Sequence, residues 1–448
     1  MMKRYSTYKD SGTEWVAKVP DDWQVRKLKQ LGVFTASGID KKTIENEVAV
    51  RMVNYTDVYG NQNCELNNDR DYMVVSCPHE KKVIHQIKKG DLIFTPSSET
   101  TDEIGLSALV NEDLPDTVYS YHVIRLRFTK PVVHRYKKYL CNNNFVLNQF
   151  SKCAKGTTRQ ILGRDDFKNI KVFIPSDGEQ VKASFYLDNR TMQIDDLIVK
   201  KERMIDLLKE ERIAIIDRAV TKGLDANVKM KNSDIEWVGL IPENWNIKKL
   251  KYLGQFQNGI SEGAEYFGAG YPFVSYGDVY NNMSLPYSVV GLAQSSRVEQ
   301  IKMSVKEGDV FFTRTSETIE EIGISSVCMK QIKDAVFSGF LIRFRPFSNA
   351  LLKDFSKYYF RASLTRKFFV REMNIVTRAS LAQDLLKGLP VLLPPLLEQE
   401  TIAEYLDKKC GQIDNQIKHE QKSIELLKEY RTALISEVMT GKIDVRGE

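Results

Sequence analysis

"DLLKEERIAIIDRAVTKGLD" occupies residues 206–225, and "ELLKEYRTALISEVMTGKID" occupies residues 425–444, 219 positions further on. Nine of the twenty positions are identical, and most of the others exchange like for like. The duplication extends outward from this helical-looking stretch. "EWVAKVPDDW" (14–23) returns as "EWVGLIPENW" (236–245), and "VNYTDVYGN" (53–61) returns as "VSYGDVYNN" (274–282). "GDLIFTPSSETTDEIGLS" (90–107) returns as "GDVFFTRTSETIEEIGIS" (308–325), with eleven of eighteen positions identical. The chain of 448 residues is therefore two copies of one unit of about 220, a duplicated domain pair rather than a solenoid of short repeats.

Each copy has two parts. The first mixes short β-rich runs such as "DLIFT", "VIRLRF" and "IKVFIP" with polar turns, and reads as an α/β (α+β) globular domain. It closes on proline followed by Glu-Gln: Pro175 with Glu179 and Gln180, then Pro394 and Pro395 with Glu398 and Gln399. Proline ends a strand, and glutamate suits the first turn of a helix. The second part is that helix. A heptad seam runs through Leu187, Ile194, Ile198, Ile205, Leu208 and Ile215, and again through Leu406, Ile413, Ile417, Ile424, Leu427 and Leu434. Such a helix, ~50 Å over 35 residues, exceeds the width of its domain, so two of them predict a coiled coil between them. Apolar residues beside the seam, Leu197, Met204, Ile213, Ile216 and Leu426, widen the stripe toward a further partner. The expected organisation is globular parts at 1–178 and 229–395, with helical regions at 179–228 and 396–448.

Composition bounds the function. Charged residues make up 28%, hydrophobic residues 42%, and the net charge is +6, values of a soluble globular protein mildly disposed toward polyanions. No run of eighteen apolar residues occurs, "MMKRYSTYKDSGTEW" lacks a signal-peptide core, and six scattered cysteines suit the reducing cytoplasm. The expectation is a cytoplasmic protein with no membrane span. "LLPPLLEQ" lacks the Asn and the aromatic of an adenine-methyltransferase motif, and no GxxxxGK[ST] loop is present. Cys77 and His79 are too few for a zinc site. No catalysis, metal or cofactor is expected in this chain.

Two globular units, each opening on "EWVxxxPxxW" and closing on "P…EQ…YLD…ID" and a long helix, resemble the specificity subunit of type I restriction–modification systems. "TTRQIL" (157–162) and "VTRASL" (376–381) fit the same pattern, and the resemblance covers essentially the whole chain. It implies two target recognition domains, each reading half of a bipartite site in double-stranded DNA. It further implies helical regions that pair as an antiparallel coiled coil and dock two methyltransferase subunits, restriction subunits joined through these, and S-adenosylmethionine held by the partners. A coiled-coil scaffold binding only protein, and a self-sufficient DNA-modifying enzyme, are the alternatives.

The residues themselves point the same way. Arg361, Arg366, Lys367, Arg371 and Arg378 are interleaved with Tyr358, Tyr359, Phe360, Phe368 and Phe369, and the first copy places Lys152, Lys155, Thr158 and Arg159 correspondingly. Basic stretches at matching places in both copies favour phosphate contact, with Arg361 and Arg366 as leading candidates. Positions identical in both copies cannot encode two different half-sites. The "SET" strings accordingly read as capped turns or phosphate-side loops. Base reading is expected where the copies diverge, at 36–51 against 258–273 and at 142–156 against 361–375. Further candidate contacts are Lys41, Lys42, Arg51, Asn54, Tyr55, Ser275, Tyr276 and Arg314.

Modularity follows directly. Exchanging residues 1–178 for the matching part of a relative should change one half of the recognised DNA sequence and leave the other intact, as read by methylation mapping. A swap that altered both halves would be incompatible with two independent readers.

Overall fold

Asp91 and Asp309, the aspartates of the repeated Gly-Asp, are almost fully enclosed. A buried carboxylate is costly unless paired, and each is gripped by an arginine from the neighbouring strand. Arg127 donates from Nε at 2.9 Å and from Nη2 at 2.7 Å to Asp91. Arg345 reaches Asp309 at 2.6 Å through both nitrogens. These bidentate pairs pin the strands that carry the repeated motifs.

The computed structural model describes residues 3–316, 318, 321–347, 350–372 and 379–447. It is a mixed α/β protein made of two units, Met1–Lys201 with Lys422–Glu448, and Glu202–Gln421. In the first unit a five-stranded sheet runs in the order Gly32–Ala36, Ile124–Phe128, Leu92–Phe94, Ser107–Val110, Glu65–Leu66, antiparallel except for the last pair. A three-stranded sheet sets Val48–Val53 between Thr117–Tyr119 (parallel) and Met73–Cys77 (antiparallel). The second unit repeats this plan. Its four-stranded antiparallel sheet runs Gly254–Asn258, Leu341–Pro346, Val310–Thr313, Ser325–Val327, and its three-stranded sheet centres on Phe267–Val274. In both, a two-stranded ribbon joins the start of the globular part to its end: Gln24–Lys27 with Lys171–Ile174, and Asn246–Lys249 with Pro390–Leu393.

The long helices span Asp177–Lys222 and Leu396–Met439, 46 and 44 residues. They begin earlier than the heptad seam suggests, because the Glu-Gln pair forms their first turn. Gln180 and Gln399 are each 1% exposed. Gln180 accepts from Val133 N at 2.8 Å and donates to the Pro175 carbonyl at 2.9 Å. Gln399 accepts from Leu352 N at 3.0 Å and donates to the Pro394 and Ala350 carbonyls at 3.0 and 3.2 Å. Each amide thereby ties helix, closing strand and a short surface helix together. Gly441 (φ 70°) ends the second helix against Pro20, whose Cδ would lie 2.4 Å from any added Cβ. The residues beyond it run back beside the chain's beginning, where Asp444 N bonds the Lys3 carbonyl at 2.8 Å.

In the first unit the beginning of one long helix lies antiparallel to the end of the other, and Asp195 accepts from Arg431 at 2.9 Å. In the second unit Arg212 donates to Asp414 at 3.1 Å. Asp195 and Asp414 are equivalent in the repeat, as are Arg212 and Arg431, each pair 219 positions apart. The same bridge is therefore made twice with the copies' roles exchanged. Leu187, Ile194, Ile198, Ile205, Leu208, Leu406, Ile413, Ile424 and Leu434 are buried, while Ile215, Ile417 and Leu427 are half-buried. Of the residues widening the stripe, Ile216 turns inward, whereas Leu197, Met204, Ile213 and Leu426 stay exposed.

Gln180→Leu and Gln399→Leu keep volume but strand a backbone N–H and one or two carbonyls. Each should cost about 2 kcal/mol. Amide hydrogen exchange should rise around 133 and 175 in the first variant and around 352 and 394 in the second, with little change in the other unit. Uniform loosening of the whole chain would refute this local role.

Candidate nucleic-acid interface

A short helix opens on a polar cap in each copy. Asn54 caps Tyr55–Val58 and Ser275 caps Tyr276–Tyr280. Capping brings two tyrosines one turn apart, so Tyr55 stacks on Tyr59 with ring centres 5.2 Å apart and Tyr276 on Tyr280 at 5.7 Å. Tyr55 Oη donates to the Ser97 carbonyl at 3.0 Å, and Tyr276 Oη to that of Thr315 at 3.1 Å. The outer rings hold the repeated glutamates: Tyr59 bonds Glu103, and Tyr280 bonds Glu321 at 2.8 Å. These bonds to carboxylates raise both phenol pKa values, that of Tyr59 to about 12, so both remain protonated donors. The first "SET" string forms a capped turn, Thr100 N donating to Ser98 Oγ at 3.3 Å, and in the second copy Thr318 N donates to Ser316 Oγ at 3.3 Å.

Cations gather on this platform in the first unit. Ser97–Ser98 pairs with Gln160–Ile161, which carries the "TTRQIL" loop alongside. Arg159 lies 5.9 Å from the centre of the Tyr55 ring, and Thr158 and Lys155 are exposed next to it. Lys41 and Lys42 stand on an exposed loop, Lys42 3.4 Å from Asp40. His122 joins them: burial first, then the Lys41 and Arg159 charges, hold its pKa below the usual 6.5. In the second unit Arg314 follows the central strand, its N–H on the Phe340 carbonyl at 2.8 Å, and Thr315 pairs with Ser380. Arg378 lies outside the described residues.

Other sequence candidates are committed elsewhere. Arg361 Nε donates to the Ser325 carbonyl at 2.6 Å, and its Nη2 serves the carbonyls of Val279, Tyr280 and Asn282. Arg366 donates to the carbonyls of Ile322 and Gly323. Burial pushes both guanidinium pKa values down to about 10. These arginines hold loops together, so the phosphate contacts expected of them are withdrawn. The repeat carried a usable signal: Asn142, the counterpart of Arg361, donates to the Ser107 carbonyl at 2.8 Å, doing the same work without charge. Lys152 and Arg371 pair with Glu14 and Glu236 of the two "EW" motifs. Arg51 bonds Asn68 Oδ1 at 2.6 Å, while Asn54 is buried and, like Ser275, spent on capping. Lys367 is exposed.

The family of type I restriction modification DNA specificity domains matches this chain twice, over residues 20–203 and 242–429. The chain belongs to that family. The type I restriction enzyme EcoKI specificity subunit of Escherichia coli (strain K12) is 22% identical over 371 residues, covering 81% of this chain and 76% of that protein. The MjaIX specificity subunit of Methanocaldococcus jannaschii is 21% identical over 453 residues, covering 96% and 95%. A solved chain from a study of complex assembly and conformational transition of the type I R-M system superposes with a TM-score of 0.72 at 15% identity, covering 95% of this chain and 99% of that one. That similarity is one of fold.

Arg361→Ala should then act on stability rather than on DNA. Removing the guanidinium leaves several carbonyls unsatisfied and should cost about 3 kcal/mol. Thermal unfolding of the second unit should shift down, while the salt dependence of DNA binding below that transition keeps its slope. A slope lower by about one with unchanged stability would restore Arg361 as a phosphate contact.

Proposed function

We propose that this chain is the DNA-recognition subunit of a type I restriction–modification system, each unit reading one half of a bipartite target in double-stranded DNA. The observation that carries the reading is the twofold family match, one per repeat, with a tyrosine platform in each copy and cations around it. Lys41, Thr158, Arg159 and Arg314 are the candidate DNA contacts on those platforms. The exposed apolar residues of the long helices, among them Met192, Leu197, Val199 and Leu426 in the first unit and Met204 and Ile213 in the second, form docking faces for methyltransferase subunits. Because both repeats present such a face, two methyltransferase subunits bind, and restriction subunits join through them. S-adenosylmethionine belongs to those partners, this chain contributes no catalysis, and the complex works in the cytoplasm. Neither the protein-only scaffold nor the self-sufficient enzyme gains support from the comparisons.

The full chain, produced together with a type I methyltransferase subunit, tests this reading. Methylation mapping should return two short specified segments separated by unread base pairs. Affinity should fall steeply as salt rises, as release of phosphate counterions demands. A complex that binds all DNA alike, or a chain that remains a lone monomer in the presence of the methyltransferase, would defeat it.

A further inference from the structure

The loop that follows the parallel strand of each three-stranded sheet is built identically in the two copies but carries different side chains. Ser120 N bonds the Val53 carbonyl at 2.9 Å, and Ser338 N bonds that of Val274 at 3.0 Å. Tyr121 N reaches the Ile39 carbonyl at 3.1 Å, and Gly339 N reaches that of Ile260 at 2.6 Å. His122 N then donates to Ser120 Oγ at 3.3 Å, as Phe340 N does to Ser338 Oγ at 3.2 Å. Each N–H donates to the serine oxygen, so the turn is fixed independently of what the next side chain is. On this common frame the first copy presents Tyr-His and the second Gly-Phe. At Gly339 a Cβ would lie 2.0 Å from Ser261 Oγ and 2.9 Å from the Ile260 carbonyl oxygen, so any side chain there would force a shift.

Tyr121 and Phe340 have no core to fill, while His122 is half-buried. Tyr121 is 49% exposed and Phe340 60%. The Tyr121 and His122 rings lie 3.8 Å apart, centre to centre, with Lys41 and Arg159 acting on the imidazole. Phe340 shares a backbone hydrogen bond with Arg314, which precedes the Thr315 carbonyl that receives Tyr276. An exposed ring on a rigid turn, beside cations and beside a platform identical in the two copies, is suited to touching a ligand that differs between them. Phosphates do not differ between half-sites; base edges do.

We propose that Tyr121 and His122 in the first unit, and Phe340 in the second, contact bases and determine the sequence each unit prefers. This rests on the DNA-recognition reading above. The chemistry of the two sites then differs in kind. A phenol and a neutral imidazole offer hydrogen-bond donors and acceptors to a base edge, whereas phenylalanine offers only an apolar surface. The base feature that matches an apolar surface in the major groove is the thymine methyl group. Phe340 therefore selects a thymine.

The test uses the full chain in complex with its methyltransferase subunits, on the target found by methylation mapping. Each thymine of the target is replaced in turn by uracil, which lacks only the methyl group. In the half-site read by the second unit, one such replacement should weaken binding about fourfold, the equivalent of ~0.8 kcal/mol for one buried methyl. Phe340→Ala should abolish that penalty and leave the other half-site untouched. His122→Ala should relax discrimination at one or two base pairs of the other half-site, with the salt slope unchanged. Absence of any uracil-sensitive thymine, or an equal penalty in Phe340→Ala, would overturn the assignment of Phe340, and full discrimination in His122→Ala would overturn that of His122. A wild-type complex with no sequence preference at all would instead overturn the DNA-recognition reading, so the two failures are distinct.

Discussion

A primary amide buried at the root of a long helix must find partners for its carbonyl and its amino group, or the helix cannot seat where it does. Gln180 and Gln399 meet that demand by bridging three separate chain segments each. The helices are held to their globular parts further along as well, where Tyr139 Oη donates to Asp188 at 2.7 Å and Tyr358 Oη to Asp407 at 2.6 Å. The amide fixes the joint at the root, and what is positioned relative to the helix inherits its direction from these contacts together. The buried Asp91–Arg127 and Asp309–Arg345 pairs extend the same rigidity from the helix root into the sheets.

Much of this was legible in the sequence because duplication supplies an internal comparison. Two copies, mixed α/β globular parts and long paired helices could all be read from offsets that stay near 219. Base composition of surface stretches was a poorer guide. A basic run with interleaved aromatics looks alike whether its arginines face solvent or fold inward, and Arg361 and Arg366 fold inward because neighbouring loops offer several carbonyls that one guanidinium can serve at once. The helix starts were legible in the proline followed by Glu-Gln: helical regions expected from 179 and 396 begin at Asp177 and Leu396.

The loop at 120–123 was missed for a different reason. Its sequence lies within "VYSYHVIRLRF", flanked by apolar residues that mark a buried strand, and two rings in such a run look like core. What turns them outward is the serine: by accepting the N–H two positions on, it makes a tight bend between two strands, and the following ring is thrown to the surface. Divergence between the copies was searched for in long loops, whereas here it occupies two residues. The conserved frame with variable occupants is the same logic by which binding loops diversify on any rigid scaffold.

The exchanged bridges on the long helices carry a further consequence for the chain's history. Asp195 of the first copy is satisfied by Arg431 of the second, and Arg212 of the first by Asp414 of the second. After duplication the globular parts were free to drift apart, and the rings at 122 and 340 record that they did. The helical segments had no such liberty, since a charge altered in one copy faces its unaltered counterpart in the other. The two helical segments are therefore a matched set, each supplying the partner charge that the other's bridge requires.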